Sequence, residues 1–279
     1  MQPVFVRHNC SSTSEVLRQL WNERLIALHY EDIFSVLPSD YYPAGRKALE
    51  RLWKYCKSGA IVGANYSRLD GSRMLVGKII PGSDVIAKEF IDPETGAKFI
   101  YKTVHLENSR IIRYSDYPLL VGVQPRQATI TGWPSAKQVL TAALMNNALP
   151  RQPSNLHPSQ LEVLCYEWLR TSSNLERLVM PIGRGLIDID IFGVTATGNR
   201  VLAQVTHSVN LTELKDKESR LLQHAGTSDS VFFFLPELNL LPHNAKVKQI
   251  TFANVLDDLQ SSPNKSIKVM LDEMFGKSS

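Results

Sequence analysis

The feature that most constrains the fold is a predicted β-hairpin over residues 183–208, with the sequence GRGLIDIDIFGVTATGNRVLAQVTHS. Because side chains alternate between the two faces of a strand, one face of the first strand carries Leu186, Asp188, Asp190 and Phe192. The TATGN segment at 195–199 has the composition of a hairpin loop. Beyond it, Gln204 and Thr206 share a face of the second strand. The hairpin is thus predicted to place two carboxylates near an amide and a hydroxyl, and such oxygens suit a hard cation.

The spacing within this hairpin carries a family resemblance. Asp190 lies fourteen positions before Gln204, and Thr206 follows two positions later. This pattern resembles the D…(E/Q)xK signature of the PD-(D/E)xK nucleases, and the Gln is typical of the Mrr-like restriction endonuclease branch. The resemblance implies that Asp190 and Gln204 hold Mg²⁺ or Mn²⁺. In the family a Lys orients or activates the attacking water, whereas this chain has Thr206 at that position.

Asp188 is a second candidate for the principal metal ligand, because it shares the predicted face with Asp190. Asp188 lies sixteen positions before Gln204, whereas Asp190 lies fourteen before it. The shorter spacing fits the hairpin of the family better, and we therefore favour Asp190.

A helix predicted over residues 156–170, LHPSQLEVLCYEWLR, resembles the first helix of the nuclease family. Its apolar residues recur at helical spacing, as Leu161, Leu164, Cys165, Trp168 and Leu169. Glu162 lies at the edge of this stripe. The resemblance implies that Glu162 reaches the metal, while its spacing from Ser159 also predicts a capping box at the start of the helix. The two interpretations are compatible, and both stay open.

The order of elements after this helix extends the resemblance. The hairpin is followed by a charged helix at 211–225, a short apolar strand at 231–235, a strand at 247–252 and a helix that begins near residue 255. The resemblance covers residues 154–259 and implies an α/β core with a central mixed sheet. The apolar strand VFFFL is too short to span a bilayer, and no membrane partner is expected.

The N-terminal half resembles the PUA-like and EVE-like domains in the order and hydrophobic pattern of its segments, WNERLIALHY, the helix that ends near Trp53, AIVGANY and MLVGKIIPGS. The resemblance implies a small β-barrel with helices that reads a modified or flipped base in an aromatic pocket. The aromatic candidates are Trp21, Tyr30 and Tyr66, since flat rings stack on bases. Helical spacing favours a core position for Trp21, whereas Tyr30 and Tyr66 lie at strand ends or in loops.

The length of 279 residues favours two domains, since a domain typically has about 100–200 residues. The proline-rich segment PRQPSNLHP at 150–158 is the best linker candidate. We therefore predict domains over 1–149 and 150–279, with an α/β class that is α+β for the chain as a whole. Just before this linker, we also predict a strand at 119–123 and a helix at 135–149.

Composition further limits the classes of protein to which the chain can belong. The three cysteines lack CxxC spacing, which argues against a disulfide framework or a zinc knuckle and favours a reducing compartment. The N-terminus lacks the apolar core of a signal peptide, and the chain is predicted to be cytoplasmic. Residues 1–150 carry 18 Lys and Arg against 13 Asp and Glu, a net charge of +5. If nucleic acid binds, this half is expected to meet its phosphates first.

Two functions follow from these patterns. The first is a Mg²⁺-dependent DNA endonuclease of the restriction or phage-defence type, a homodimer directed to modified DNA by its N-terminal domain. The second is a DNA-binding or assembly module that no longer cuts, because Thr206 supplies no positive charge. Lys215 and Lys217 are the nearest lysines in sequence that could supply the charge instead. Both are equally explained as helix-surface charges paired with Glu213 and Glu218.

Overall fold

The computed structural model describes residues 1–8, 13–93, 95–126, 129–173, 175–183, 188–238, 240–242 and 244–276. The chain divides into two compact units, Met1–Leu149 with Phe275–Ser279, and Pro150–Met274. The division falls at the start of the proline-rich segment. The end of the chain departs from the predicted second domain, because the backbone N–H of Leu149 donates to the carbonyl of Phe275 at 2.9 Å.

The first unit combines helices with short strands. Its strands are β1 Gln2–Arg7, β2 Leu25–Leu28, β3 Ala60–Asn65, β4 Arg73–Ile79, β5 Ile86–Ile91, β6 Lys98–His105, β7 Glu107–Arg113 and β8 Ile130–Gly132. Its helices are α1 Ser14–Asn22, α2 Pro43–Ser58, α3 Leu119–Gly122 and α4 Lys137–Met145.

These strands form two sheets. The five-stranded sheet has the order β7-β4-β3-β1-β8, and the three-stranded sheet has the order β2-β6-β5. β1 pairs in parallel with β3, whereas the other strand pairs of this unit are antiparallel. Apolar residues of both sheets and of α1 and α2 form one core cluster. Closure of these strands into a barrel of the PUA or EVE type stays a prediction.

The strand predicted at 119–123 is wrong, since these residues begin the short helix α3. Pro118 precedes it with φ −63° and ψ −23°, which starts the chain in the helical region. Leu119 and Leu120 are buried by this turn, so their apolar character reflects helix packing.

The second unit contains a mixed sheet flanked by helices. Its elements are α5 Pro158–Ser172, β9 Leu175–Leu178, β10 Ile191–Thr195, β11 Arg200–Val205, α6 Leu211–Gln223, β12 Ser230–Leu235, β13 Lys248–Thr251, α7 Phe252–Ser261 and α8 Lys265–Phe275. The strand order is β13-β12-β11-β10-β9. β9, β10 and β11 pair antiparallel, whereas β11, β12 and β13 pair in parallel. The protein is therefore an α+β protein with a central mixed sheet, and β9 is a strand that the sequence patterns did not predict.

The interior strand β12 separates two apolar layers. Phe233 packs in one cluster with Leu214 and Leu221 of α6. Phe232 and Phe234 make edge-to-face contacts with Trp168 of α5, at centroid distances of 6.2 and 5.8 Å. A strand covered on both faces is apolar throughout, which explains the VFFFL run. Among the described residues, no helix is both long enough and apolar enough to cross a membrane.

Candidate metal centre

The centre of the site is the carboxylate of Asp190, directly before β10. Its backbone N–H donates to the carbonyl of Ala203 at 2.9 Å, which extends the pairing of β10 with β11 by one residue. Its Oδ2 accepts two hydrogen bonds, from the backbone N–H of Val205 at 2.7 Å and from Nε2 of Gln204 at 2.6 Å. The hairpin therefore fixes the Asp190 carboxylate against the end of β11, next to the amide that the spacing predicted.

Only the nitrogen of the Gln204 side-chain amide has hydrogen-bond partners among the described residues. The side chain is buried, and Nε2 donates both to Asp190 and to the carbonyl of Val205, the latter at 3.2 Å. These two acceptors determine which end of the amide is the nitrogen. Oε1 is buried and has no hydrogen-bond partner among the described residues. Such an orphan acceptor is destabilising by roughly 1–3 kcal/mol, and a hard cation is one group that would satisfy it.

The start of α5 is capped differently from the prediction. His157 is the N-cap, and its Nδ1 accepts from the backbone N–H of Ser159 at 3.3 Å. Oε1 of Gln160 accepts from the backbone N–H of His157 at 3.0 Å and closes the capping box. The capping box predicted for Ser159 and Glu162 is therefore wrong, because the helix begins earlier. Glu162 lies inside the helix and has no part in the cap.

Glu162 lies instead beside Gly183, seven positions before Asp190. A Cβ added at Gly183 would collide with the Glu162 carboxylate, and Gly183 has a φ of +68°, where glycine is favoured. The backbone N–H of Gly183 donates to the carbonyl of Asp190 at 2.8 Å. The positive φ favours glycine at position 183, and the missing side chain leaves room for the Glu162 carboxylate beside the residue that binds the Asp190 carbonyl.

The electrostatics of the two carboxylates agree with this proximity. Burial raises the pKa of Asp190, and its hydrogen bond from Val205 and the positive charge of Lys217 offset this only in part. Burial, followed by the negative charge of Asp190, raises the pKa of Glu162. The negative charge of Asp190 therefore disfavours ionisation of Glu162, and a cation bound near both carboxylates would offset this repulsion.

The residues present fit a hard divalent cation. Asp190 and Glu162 offer carboxylate oxygens, and Gln204 offers a buried carbonyl oxygen to which no described residue donates a hydrogen bond. Within the described part of the chain, no group of three or more His, Cys, Asp or Glu side chains is placed to hold a metal. The candidate set therefore consists of two carboxylates and an amide, and water would complete an octahedral shell as Mg²⁺ requires.

Asp188 is placed differently from the predicted strand face. Its φ is +78°, and β10 begins only at Ile191, so Asp188 and Asp190 do not alternate along a regular strand. Leu186, predicted on the same face, lies outside the described residues. The Asp188 carboxylate pairs with Arg220 of α6, with Oδ1 and Nε 3.1 Å apart. This ion pair compensates the charge of Asp188 locally and leaves Asp190 as the central carboxylate.

Thr206 is joined to a lysine from the neighbouring helix. The Thr206 side chain is buried, and its Oγ1 accepts from Nζ of Lys217 at 3.1 Å and from the backbone N–H of Ser208 at 3.2 Å. Lys217 also pairs with Glu213 at 2.8 Å. Lys215 is exposed on the same helix. Of the two lysines considered from sequence, the structure therefore brings Lys217 to Thr206.

The three aromatic candidates of the N-terminal half differ in burial. Tyr66 is 0% exposed, stacks on His8 at a centroid distance of 3.8 Å and donates its hydroxyl to the carbonyl of Leu25. Trp21 is also buried, and its ring meets Tyr66 edge-on at 5.2 Å. The prediction that Trp21 and Tyr66 stack on a base is therefore corrected, because both rings belong to the core. Tyr30 is half-buried and packs against the edge of the same core.

Sequence reasoning missed two residues of the site, Gly183 and Arg220. Gly183 opens the hairpin segment, but its closeness to Glu162 depends on a contact between distant parts of the chain. Arg220 lies three positions after Lys217, so both project from one side of α6. That spacing was the available signal for Arg220, and only the fold shows that it meets Asp188.

Comparisons with known proteins give little further information. No family model matches the chain, and no curated protein matches it. One similar solved structure is a repair endonuclease from Pyrococcus abyssi, with 12% identity over 64% of this chain and 76% of that chain, at a TM-score of 0.21. Another is an EndoMS complex with double-stranded DNA, with 14% identity over 64% of this chain and 73% of that chain, also at 0.21. TM-scores this low carry no argument about this chain.

Proposed function

We propose that the unit Pro150–Met274 is a metal-dependent nuclease domain that hydrolyses phosphodiester bonds of DNA with Mg²⁺ or Mn²⁺. Asp190 and Gln204 are the principal metal ligands, and Glu162 is the additional carboxylate. The observation that carries this proposal is the buried Gln204 carbonyl oxygen beside the Asp190 carboxylate, which has no hydrogen-bond partner among the residues that the structure describes.

A purely structural role explains this arrangement poorly. Buried polar groups are normally hydrogen-bonded, and buried like charges are normally separated. Here an orphan oxygen and two carboxylates of raised pKa occur together. One divalent cation would satisfy the oxygen and offset both negative charges. The all-oxygen donor set favours Mg²⁺ or Mn²⁺ over a softer metal such as Zn²⁺.

The residues of the site have distinct tasks in this proposal. The bound metal would supply Lewis-acid stabilisation of the phosphate and lower the pKa of water. Asp190 is oriented for this by Val205 and Gln204, which hold its Oδ2. Glu162 has a pKa raised mainly by burial, which brings it closer to the pH at which a carboxylate exchanges protons with water.

The finer parts of the proposal concern the substrate. The net charge of +5 over residues 1–150 supports contact with nucleic-acid phosphates. The N-terminal resemblance supports a unit that directs cleavage to modified DNA in restriction or phage defence, and the nuclease resemblance supports a homodimer. Of the three aromatic candidates, Tyr30 is the one that is only partly buried, and we propose it as the residue that meets a base.

The test combines metal binding with cleavage. Asp190→Ala is expected to weaken Mn²⁺ binding by at least about tenfold and to abolish cleavage of unmodified and modified DNA, because it removes a ligand. DNA affinity should change little, since no phosphate contact is removed. Asp188→Ala is the matched control and should have the smaller effect on Mn²⁺ affinity. Calorimetry without DNA measures metal binding, and gel assays measure cleavage.

Cleavage by Asp190→Ala at the wild-type rate would remove this site from the mechanism.

The second candidate function, a DNA-binding module that does not cut, is favoured by the neutral Thr206 side chain. It predicts salt-sensitive DNA binding without metal-dependent cleavage of any DNA or RNA. For both functions DNA affinity should fall steeply as salt rises, because phosphate contacts release counterions.

A further inference from the structure

We infer that Lys217 supplies the positive charge of this site, from helix α6, in place of the side chain at Thr206. This inference rests on the proposed nuclease function and deepens it by naming the cation. Nζ of Lys217 lies 3.1 Å from Oγ1 of Thr206, at the end of β11. Thr206 directly follows Val205, whose backbone N–H binds the Asp190 carboxylate at 2.7 Å.

The ammonium group is held in place by two side chains. Thr206 accepts one hydrogen bond from it, and Glu213, one helical turn earlier, forms an ion pair at 2.8 Å. Glu213 is itself held by the hydroxyl of Ser208, which donates to its Oε2 at 2.7 Å. The Lys217 side chain is 25% exposed, in contrast to a freely solvated lysine. Two partners and partial burial restrict the ammonium to the side of α6 that faces the end of β11.

The charge of Lys217 reaches the candidate metal ligand. Nζ of Lys217 binds Oγ1 of Thr206, the residue next to Val205, and the backbone N–H of Val205 binds Oδ2 of Asp190. The pKa of His207 is lowered by burial, with smaller contributions from His157 and Lys217. Hydrogen bonds therefore connect the ammonium to the strand end that holds Asp190, and its charge also acts on His207.

The other cations of α6 are placed differently. Lys215 is exposed and lies two positions before Lys217, and residues two apart on a helix do not face the same side. Arg220 lies on the same side as Lys217, but it is paired with Asp188 at 3.1 Å and with Asp216 at 3.0 Å. Lys217 is thus the cation of α6 that the fold directs to the end of β11.

The chemical role follows from the charge that develops during hydrolysis. The oxygen of water forms a bond to phosphorus, one P–O bond breaks, and the leaving oxygen takes up the proton that water releases. Lys217 stays protonated throughout. Its ammonium offsets negative charge on the phosphate oxygens, an electrostatic contribution that is strong in partly buried sites. Thr206 positions the ammonium and contributes no charge itself.

The experiment replaces the cation and then relocates it. Lys217→Met keeps the apolar stem, and we expect single-turnover cleavage with Mn²⁺ to slow about 100-fold. Mn²⁺ affinity without DNA should rise, because a positive charge beside the metal is lost. The double variant Thr206→Lys/Lys217→Met should recover a large part of the cleavage. Lys268→Met, an exposed lysine of α8, is the matched control and should leave both quantities unchanged.

The outcomes separate this inference from the function beneath it. Cleavage by Lys217→Met at the wild-type rate overturns the inference and leaves the nuclease function standing. If Lys217→Met has a lowered melting temperature, the cleavage rate of the double variant is the test. Restored cleavage supports the inference, and a folded but inactive double variant overturns it. If wild type binds Mn²⁺ without cutting, an unchanged Mn²⁺ affinity in Lys217→Met overturns the inference. A wild type that neither binds Mn²⁺ nor cuts overturns both proposals.

Discussion

Two buried polar side chains, one in each unit, show opposite ways of handling desolvation. His8 follows β1 in the first unit and is 1% exposed. Its Nε2 accepts from the backbone N–H of Ala27 at 3.0 Å, so Nδ1 carries the proton and donates to the carbonyl of Asn65 at 3.3 Å. Its ring stacks on Tyr66. Burial lowers the pKa of His8 to about 3, which keeps it neutral.

Gln204 in the second unit is buried to a similar degree, but its hydrogen bonding is incomplete. Nε2 has two acceptors, whereas Oε1 has no hydrogen-bond partner in the described part of the chain. The adjacent Asp190 has a raised pKa, mainly through burial. A buried side chain whose polar atoms are all hydrogen-bonded, as in His8, stabilises the fold. The unpartnered oxygen of Gln204 beside a carboxylate is instead the feature that our proposal explains by a bound cation.

The largest stability effect is expected at His8. His8→Ala leaves the N–H of Ala27 and the carbonyl of Asn65 without partners and removes the ring packed on Tyr66. We expect a loss of about 3 kcal/mol in the free energy of unfolding of the first unit, measured by urea titration. His105→Ala, at an exposed position, is the control and should change it by less than about 0.5 kcal/mol. Equal effects of the two substitutions would show that the hydrogen bonds of His8 do not stabilise the fold.

The same residue predicts a pH dependence. The folded pKa of His8, about 3, lies below its ordinary value of 6.5. The folded state therefore resists protonation, and stability is complete above pH 6.5 and declines as the pH falls toward 3. The expected slope is about 1.4 kcal/mol per pH unit for one proton. The difference between wild type and His8→Ala should shrink along this slope, and a constant difference would contradict it.

A smaller effect, on metal affinity, is expected at Gln204. Gln204→Met removes the orphan oxygen together with the proposed ligand. Mn²⁺ affinity should fall about tenfold, whereas stability without metal should be unchanged or slightly higher. Gln223→Met, at an exposed position at the end of α6, is the matched control. A marked loss of stability in Gln204→Met, with Mn²⁺ affinity retained, would place Gln204 in the same class as His8.

The smallest effect is a gain in stability. Asp190→Asn removes a buried charge and keeps the shape of the side chain, and we expect the second unit to gain about 1 kcal/mol at neutral pH without metal. The folded pKa of Asp190 is raised above 3.8, so its destabilising effect is absent at low pH and appears as the pH rises through the folded pKa. Urea titrations of both proteins at acidic and neutral pH test this, and a loss of stability at neutral pH would contradict it.

Local patterns determined the parts of the site that lie close together in the chain. The loop at 195–199 sets the antiparallel register that pairs Ile191 with Ala203, and this brings Asp190 to Gln204. Apolar spacing likewise identified the stripe of α5, since all five of its predicted members are buried, Leu161, Leu164, Cys165, Trp168 and Leu169. Short-range geometry allows few alternatives in a hairpin or on one side of a helix. Such features can therefore be predicted from sequence.

The tertiary structure decided the contacts between distant segments. β9 lacks an apolar alternation, because as the last strand of its sheet it is largely exposed. Asp188 departs from the strand pattern in a left-handed conformation, and its ion pair with Arg220 of α6 forms across thirty-two positions of sequence. Lys217 meets Thr206 because α6 packs beside β11. Sequence alone identified the carboxylate and the amide, while the partner of each charge depended on how the helices pack against the sheet.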